Sequence, residues 1–204
     1  MADKATIFVV DDDQGFRDSL AALLRASGMR VQTYASAQAF LEAYEPSRLG
    51  CLLLDVRMPG ISGLDLQERL AARGAKLPII LMTTYGDVPT AVKAMQAGAI
   101  NFIEKPIREE ALLESLRRAL QQGERLHKER EYVGRVRALI DRLTPREREV
   151  LRMLVAGKAN KVIAAELGIS ERTVEIHRQR VRKKLEARSL SQVVRMALVA
   201  GSAG

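Results

Sequence analysis

Four apolar residues, Cys51-Leu52-Leu53-Leu54, run straight into the carboxylate of Asp55 and then, past Val56, Arg57 and Met58, into the turn pair Pro59-Gly60. So short a run, apolar throughout and followed by Pro-Gly, reads as a strand buried on both faces of a parallel sheet. Such a strand needs parallel neighbours at its sides and helices over both faces. It also constrains chemistry, because open parallel sheets bind ligands outside the carboxyl ends of their strands. Asp55 stands at such an end. Taken alone, it reads equally well as a loop aspartate that caps a helix.

The neighbours are in the chain. The run Thr6–Val10 ends in Asp11, Asp12 and Asp13; residues 31–34 form a short alternating run; residues 77–82 lead into Thr83 and Thr84; and residues 101–104 lead into Lys105 and Pro106. Stretches of helical period lie between them. Phe16, Leu20, Leu23 and Leu24 share a face that closes at Gly28. Ser36 caps a helix with Phe40 and Leu41 inward, and Ser62-Gly63 leads one through Leu64, Leu66 and Leu70 to Gly74. Pro89 opens a helix that stops at Gly98, and Glu109 starts a fifth. Five strands alternating with five helices predict an α/β doubly wound, five-stranded parallel sheet.

In such a sheet the strand ends share one edge, so Asp11, Asp12, Asp55, Thr83 and Lys105 gather there. Three carboxylates in one crevice repel each other unless a cation joins them. With carbonyls and water they make a hard oxygen site suited to Mg²⁺. A lysine and a hydroxyl on its rim suit a phosphoryl group. Ordinary readings exist for each residue, the Asp11 to Asp13 run as a solvated helix start and Lys105 as a surface lysine. They would have to hold together, at the correct strand ends, to remove the site.

Charge divides the chain. Residues 141–204 carry 14 Lys and Arg against 7 Asp and Glu, whereas residues 1–120 carry 14 against 15, so nearly all of the net +8 lies in the last third. A basic module beside a neutral one suggests a polyanion partner. No apolar run approaches the ~20 residues of a membrane helix. Residues 7–10, after Met1-Ala2-Asp3-Lys4, are too few for a signal-peptide core. The expectation is a cytoplasmic protein with no membrane partner. The single cysteine, Cys51, excludes an internal disulfide and is expected to be packed at the start of its strand.

No cluster of turn residues interrupts the chain from Glu109 to about Leu143. Leu112, Leu113, Leu116 and Leu120 give the fifth helix its inner face. Beyond them Leu126, Val133 and Ile140 repeat at seven, as do Val136 and Leu143. The trace fits a long, marginal helix that firms up in a dimer, with Gly123 and Gly134 each costing about 1 kcal/mol. A flexible charged linker fits it too.

A second module follows. In Leu143-Thr144-Pro145-Arg146-Glu147, Thr144 caps, Pro145 fits the first turn and Glu147 completes a capping box. Val150, Leu151 and Leu154 face inward to Gly157. Asn160 opens a short helix through Ile163, Ala164 and Leu167, and Gly168-Ile169-Ser170 turns into a third, basic helix. Ser189 caps a fourth with Leu190, Val193, Val194, Ala197 and Leu198 inward. Helix, glycine turn and capped basic helix make a helix-turn-helix within a small all-α, four-helix domain. In the third helix Val174, His177, Val181 and Leu185 pack on the core, while Glu175, Ile176, Gln179 and Lys183 share another face flanked by Arg178, Arg180, Arg182 and Lys184. An exposed isoleucine fits a thymine methyl; glutamine and glutamate fit adenine and cytosine edges. A solvated charged helix is the plain alternative.

Residues 5–120 resemble the receiver domain of bacterial two-component response regulators. The residues that carry the resemblance are Asp11-Asp12, the Asp55 strand with Met58-Pro59-Gly60, Thr83, Phe102 and Lys105-Pro106. The resemblance implies the flavodoxin-like fold and Asp55 as phosphoacceptor from a sensor histidine kinase or a small phosphodonor. It implies Mg²⁺ held by Asp12 directly, by Asp11 directly or through water, and by the backbone carbonyl of Arg57, with Asp55 completing the site. Lys105 would pair with the phosphoryl group, Thr83 would bond it, and Phe102 would turn inward, although Phe102 also reads as an ordinary core aromatic. The output face would lie around Val92, Gln96 and Asn101 and form a homodimer on phosphorylation.

Residues 143–200 resemble the LuxR-type DNA-binding domain of the FixJ/NarL family, on Leu143-Thr144-Pro145-Arg146-Glu147 and on residues 160–177. That resemblance implies double-stranded promoter DNA as partner, with RNA polymerase a candidate beyond it. Glu175, Ile176 and Gln179 would read bases, and Lys161 and Thr173 would touch phosphates. Arg172, Arg180, Lys183 and Lys184 belong to the same basic surface. The expected organisation is a receiver over residues 1–121, a helical linker over 122–142 and a DNA-binding domain over 143–204. Two rivals stay open. One is a regulator that binds DNA without phosphorylation and uses its receiver only for dimerisation. The other is an enzyme, such as a phosphatase, built on the aspartate cluster.

Overall fold

The computed structural model of the chain describes residues 5–46, 48–84, 86 and 88–201. The expectations for Met1-Ala2-Asp3-Lys4 and for the last three residues lie outside the described residues. The chain divides into two compact units, Met1–His127 and Lys128–Gly204.

In the first unit, β1 (Thr6–Val10), β2 (Arg30–Tyr34), β3 (Gly50–Asp55), β4 (Ile79–Thr83) and β5 (Asn101–Glu104) form one sheet in the order β2-β1-β3-β4-β5. Every pairing is parallel. β1, β3 and β4 are buried at every position, whereas the edge strands β2 and β5 are not. Alternate residues serve opposite faces. Ile7, Val9, Leu53, Ile80 and Met82 pack with Leu20 and Leu24 of α1 (Gln14–Ala26) and Leu112 and Leu116 of α5 (Glu109–Asp141). Phe8, Leu52, Leu54 and Leu81 pack with Phe40 of α2 (Ala37–Ala43), Leu66 and Leu70 of α3 (Gly63–Ala72) and Ala94 of α4 (Val88–Gln96). Cys51 is fully buried, and burial pushes its thiol far above the ordinary value.

Caps set the helix starts. The side chains of Asp13, Ser36 and Ser62 accept backbone N–H bonds from Phe16, Ala39 and Asp65. Gly63 lets α3 begin hard against the end of β3: a Cβ there would lie 2.1 Å from the carbonyl oxygen of Asp55. Gly123, in α5, has a packing reason too, since a Cβ would stand 3.1 Å from the Gly50 carbonyl oxygen and 3.3 Å from Pro78 Cγ.

α5 is one helix of 33 residues. Its last part belongs to the second unit, where Val136, Leu139 and Ile140 are buried with Leu143, Leu151, Val181 and Leu185. The sevenfold trace that suggested a dimer seam is therefore used, at Val136, Ile140 and Leu143, within one chain. α6 (Pro145–Val155), α7 (Asn160–Leu167), α8 (Glu171–Lys184) and α9 (Leu190–Val199) complete the unit. Thr144 and Glu147 form the expected capping box, and Ser170 and Ser189 cap α8 and α9. The inner face of α9 differs from the expected one. Val193, Met196 and Ala197 are buried, while Leu190 and Leu198 are 44% and 57% exposed. The spacing 193-196-197-200 fits one helical face; Leu190 falls beside it and Leu198 on the far side.

Candidate functional site

The strand order reverses between β1 and β3: β2 lies beyond β1, and β4 and β5 beyond β3. Such a reversal opens a crevice at the carboxyl ends. The register pairs Val10 with Leu54, which brings the next residues, Asp11 and Asp55, to that crevice. Both are buried, at 1% and 5% exposure. Lys105, after β5, reaches between them. Its Nζ donates to Asp11 Oδ2 at 2.6 Å and to Asp55 Oδ1 at 2.7 Å. These contacts span 94 and 50 residues of sequence, so the sheet alone brings the three residues together.

Each carboxylate has a second anchor. Asp55 Oδ2 accepts from the Arg57 N–H at 2.7 Å and Asp11 Oδ1 from the Asp13 N–H at 3.0 Å. Arg17 Nη1 donates to the Asp11 carbonyl at 2.7 Å. Asp12 is exposed beside the pocket. Thr83 is buried at the end of β4, and its carbonyl accepts from the Lys105 N–H at 2.7 Å. The Lys105–Pro106 peptide is cis. Phe102 is half-buried against the cluster that holds Leu81, Ala94 and Ala99, on the α4 side of the sheet.

Burial dominates at Asp55 and pushes its carboxyl above the ordinary 3.8; Lys105 and the Arg57 N–H pull the other way, and Asp11 adds to the rise. At Lys105 burial pulls down, but Asp11 and Asp55 outweigh it and hold the ammonium above the ordinary 10.5. Among the described residues no three carboxylates form a ready cage for a metal ion. Two do converge, and a cation, the Lys105 ammonium, holds the point between them. Mg²⁺ is bound through one or two carboxylates, with carbonyls and water filling its shell. Asp11 and Asp55 offer two such carboxylates at one point.

On α4, Val92 and Gln96 are exposed, and so are Val88 and Met95, by 75% and 48%. Spacing of four and then three residues could have found that row. Asn101 does not join it. Its amide donates to Ser115 Oγ at 2.7 Å, and Ser115 donates to the Ala111 carbonyl at 2.8 Å, so the side chain is engaged with α5.

On the second unit, Lys161 of α7 and Arg172, Glu175, Ile176, Gln179, Arg180 and Lys183 of α8 are exposed, Ile176 by 42%. Thr173 Oγ1 shares a hydrogen bond with Ser170 Oγ at 2.8 Å. Lys184 stands apart from this set. Its Nζ donates to Glu147 Oε2 at 2.6 Å and to the Arg142 carbonyl at 3.2 Å. Glu147 is buried, and although burial alone would raise its carboxyl, Lys184 and Thr144 hold it below the ordinary 4.5. Arg178 donates to Asn160 Oδ1, tying α8 to the start of α7. Sequence reasoning took Glu147 as a cap alone and Asn160 as a helix start alone.

A profile described as the response regulator receiver domain matches residues 7–117, and one described as bacterial regulatory proteins of the luxR family matches residues 141–197. The chain is 48% identical to the transcriptional regulatory protein FixJ of Azorhizobium caulinodans, over 100% of this chain and 96% of that protein. It is 41% identical to nodulation protein W of Bradyrhizobium diazoefficiens, over 97% and 87%. Among solved structures, the response regulator StyR matches with a TM-score of 0.82 and 45% identity over 96% of this chain and 98% of that one. Full-length FixJ from B. japonicum matches at 0.57 and 43%, over 97% and 98%.

Proposed function

The chain belongs to the two-component response regulators that join a receiver to a LuxR-type DNA-binding domain, and on that premise we propose that phosphorylation of Asp55 switches its binding to promoter DNA. The supporting observation is the single ammonium of Lys105 shared by two buried carboxylates, Asp11 and Asp55, at the strand-order reversal.

Asp55 is the nucleophile. One of its oxygens forms a P–O bond as the P–N bond of a phosphohistidine on the sensor histidine kinase breaks and the imidazole leaves. Asp12, Asp11, Asp55 and the Arg57 carbonyl would hold Mg²⁺, which when bound would supply positive charge to the phosphoryl oxygens. Lys105 exchanges its bond to Asp55 Oδ1 for one to a phosphoryl oxygen. Thr83 turns its hydroxyl to another, and Phe102 swings into the space it leaves. Phe102 packs with the cluster that holds Ala94 of α4, so the change biases the face of Val88, Val92, Met95 and Gln96 toward pairing with a second copy. A two-fold pair sets two α8 helices on double-stranded promoter DNA. Glu175, Ile176 and Gln179 read base edges; Lys161, Arg172, Thr173, Arg180 and Lys183 hold phosphates; Lys184 holds the reading helix through Glu147. RNA polymerase is the further partner at the promoter.

Sedimentation and DNA binding, each with and without beryllofluoride plus Mg²⁺ as phosphoryl mimic, test the reading. Self-association and promoter affinity should rise together. If neither changes, the receiver serves only for dimerisation and the reading fails.

A further inference from the structure

We infer that Phe16 is a positioning residue for the switch: its ring holds the Lys105 ammonium over Asp11 and Asp55 and walls the pocket on the α1 side. The inference rests on the reading of Asp55 as phosphoacceptor and names a residue to which neither the sequence motifs nor that reading gives a role.

The Lys105 Nζ lies 4.0 Å from the centroid of the Phe16 ring. An ammonium has three donors. Two of them are on Asp11 Oδ2 and Asp55 Oδ1, and the π face lies close beside the remaining one. Only 12% of the Lys105 side chain is exposed, so the contact forms where water is scarce and a cation–π attraction is strongest.

Phe16 is not simply a core residue of α1. Leu20 and Leu24, one and two turns on, are 5% and 0% exposed, whereas Phe16 stays half-buried. It lines a groove of about 650 Å³ with Lys105, Leu20, Leu23, Ile107 and Leu112. An aromatic at the mouth of an apolar groove, facing an ammonium, is placed for that ammonium as much as for the core.

The ring is also fixed relative to the acids. The Asp13 N–H donates to Asp11 Oδ1 and the Phe16 N–H to Asp13 Oδ1, both at 3.0 Å. Arg17, the next residue, bonds the Asp11 carbonyl. The first turn of α1 is thus pinned to one of the carboxylates that Lys105 joins. A ring accepts no proton from Lys105 in an ordinary hydrogen bond. It steadies the ammonium without competing with a phosphoryl oxygen, and it need not move when Lys105 leaves Asp55 Oδ1. A carboxylate or amide at position 16 would compete for the same proton.

The test compares the full chain with its Phe16→Leu and Phe16→Tyr variants. Leucine keeps an apolar side chain and removes the π face; tyrosine keeps the face. In NMR spectra of the metal-free protein, the Lys105 ε-methylene protons should be shifted upfield by the ring current in wild type and in Phe16→Tyr. They should return to ordinary lysine positions in Phe16→Leu. With Mg²⁺ present, beryllofluoride should bind about three- to tenfold more weakly to Phe16→Leu, as loss of one cation–π contact implies, and with wild-type affinity to Phe16→Tyr. Thermal unfolding of each variant separates this from simple loss of packing. Unchanged Lys105 shifts in Phe16→Leu overturn the inference, as does equal weakening of the mimic in both variants. If wild type itself takes no mimic, the phosphoacceptor reading falls and the switch role of Phe16 with it, while the Lys105 shifts still decide whether the contact exists.

Discussion

Each unit of the chain sets one lysine on a buried carboxylate at almost the same distance: Lys105 on Asp55 at 2.7 Å and Lys184 on Glu147 at 2.6 Å. The company of the carboxylate separates them. Glu147 has one cation, and the Thr144 N–H donates to the same oxygen, Oε2, at 2.8 Å, so its charged form is favoured. Asp55 shares its cation with Asp11, and burial together with that second negative charge disfavours its charged form. Two carboxylates on one ammonium are a positive charge short, which invites a metal ion or a neutralising reaction. One carboxylate on one ammonium, at its own helix start, is balanced in charge. Contact length does not mark a functional site here; unbalanced charge does.

Removing each cation sharpens the contrast. Lys105→Ala leaves Asp11 and Asp55 buried and facing each other, which should destabilise the first unit by about 3 kcal/mol at neutral pH. Mg²⁺ should restore part of that loss in chemical denaturation. Lys184→Met should cost less, about 1–2 kcal/mol, because Lys184 is 36% exposed and solvent already screens it. Mg²⁺ should restore none of it, and a Mg²⁺-dependent recovery in Lys184→Met would break the comparison. The pH dependence differs in sign. The Glu147 carboxyl lies below its ordinary 4.5 in the folded chain, so its contribution is present above that value and is lost as pH falls through the folded one.

Asp55 runs the other way. Its folded carboxyl lies above 3.8, so its ionisation opposes folding as pH rises past that value. Asp55→Asn should therefore raise the stability of the first unit at pH 7 without Mg²⁺, by about 1 kcal/mol. The gain should vanish in acid, below 3.8, where Asp55 is protonated in both states. Denaturant midpoints of the two proteins across that range measure it.

Salt dependence tests the two lysine roles on DNA. Lys161→Ala should weaken binding to all sequences and lower the salt slope by about 1. Lys184→Met should leave the slope unchanged, since Glu147 and not a phosphate holds its ammonium. A slope reduced by about 1 in Lys184→Met would return that residue to the DNA surface. Gln179→Ala should lose about 1–3 kcal/mol of discrimination at one base and leave non-specific affinity unchanged.

The strands were legible because burial on both faces leaves an unmistakable apolar run: β1, β3 and β4, buried at every position, are the runs around Phe8, Leu53 and Leu81. The gathering of Asp11, Asp55, Thr83 and Lys105 followed, since parallel strands share one carboxyl edge. Polar partners were not legible. Period tells which face a residue occupies, not which group its side chain reaches, so Lys184 read as a flank of the DNA surface and Asn101 as part of an output face. Strand alternation held a clue for Asn101. Ile103, two residues on, packs on the α5 side while Phe102 packs on the other, and Asn101 follows Ile103. The heptad trace left two readings open for a similar reason: a stripe at seven buries equally well in a partner helix or in the core of its own chain, as Val136 and Ile140 do.

Asp55 is proposed to accept a phosphoryl group. Intact-mass measurement of the full chain after incubation with an acyl phosphate and Mg²⁺ tests it most directly. Wild type should gain a single phosphoryl group per chain and Asp55→Asn none, with both proteins folded. A phosphoryl group on Asp55→Asn, at the same yield as wild type, would contradict the account.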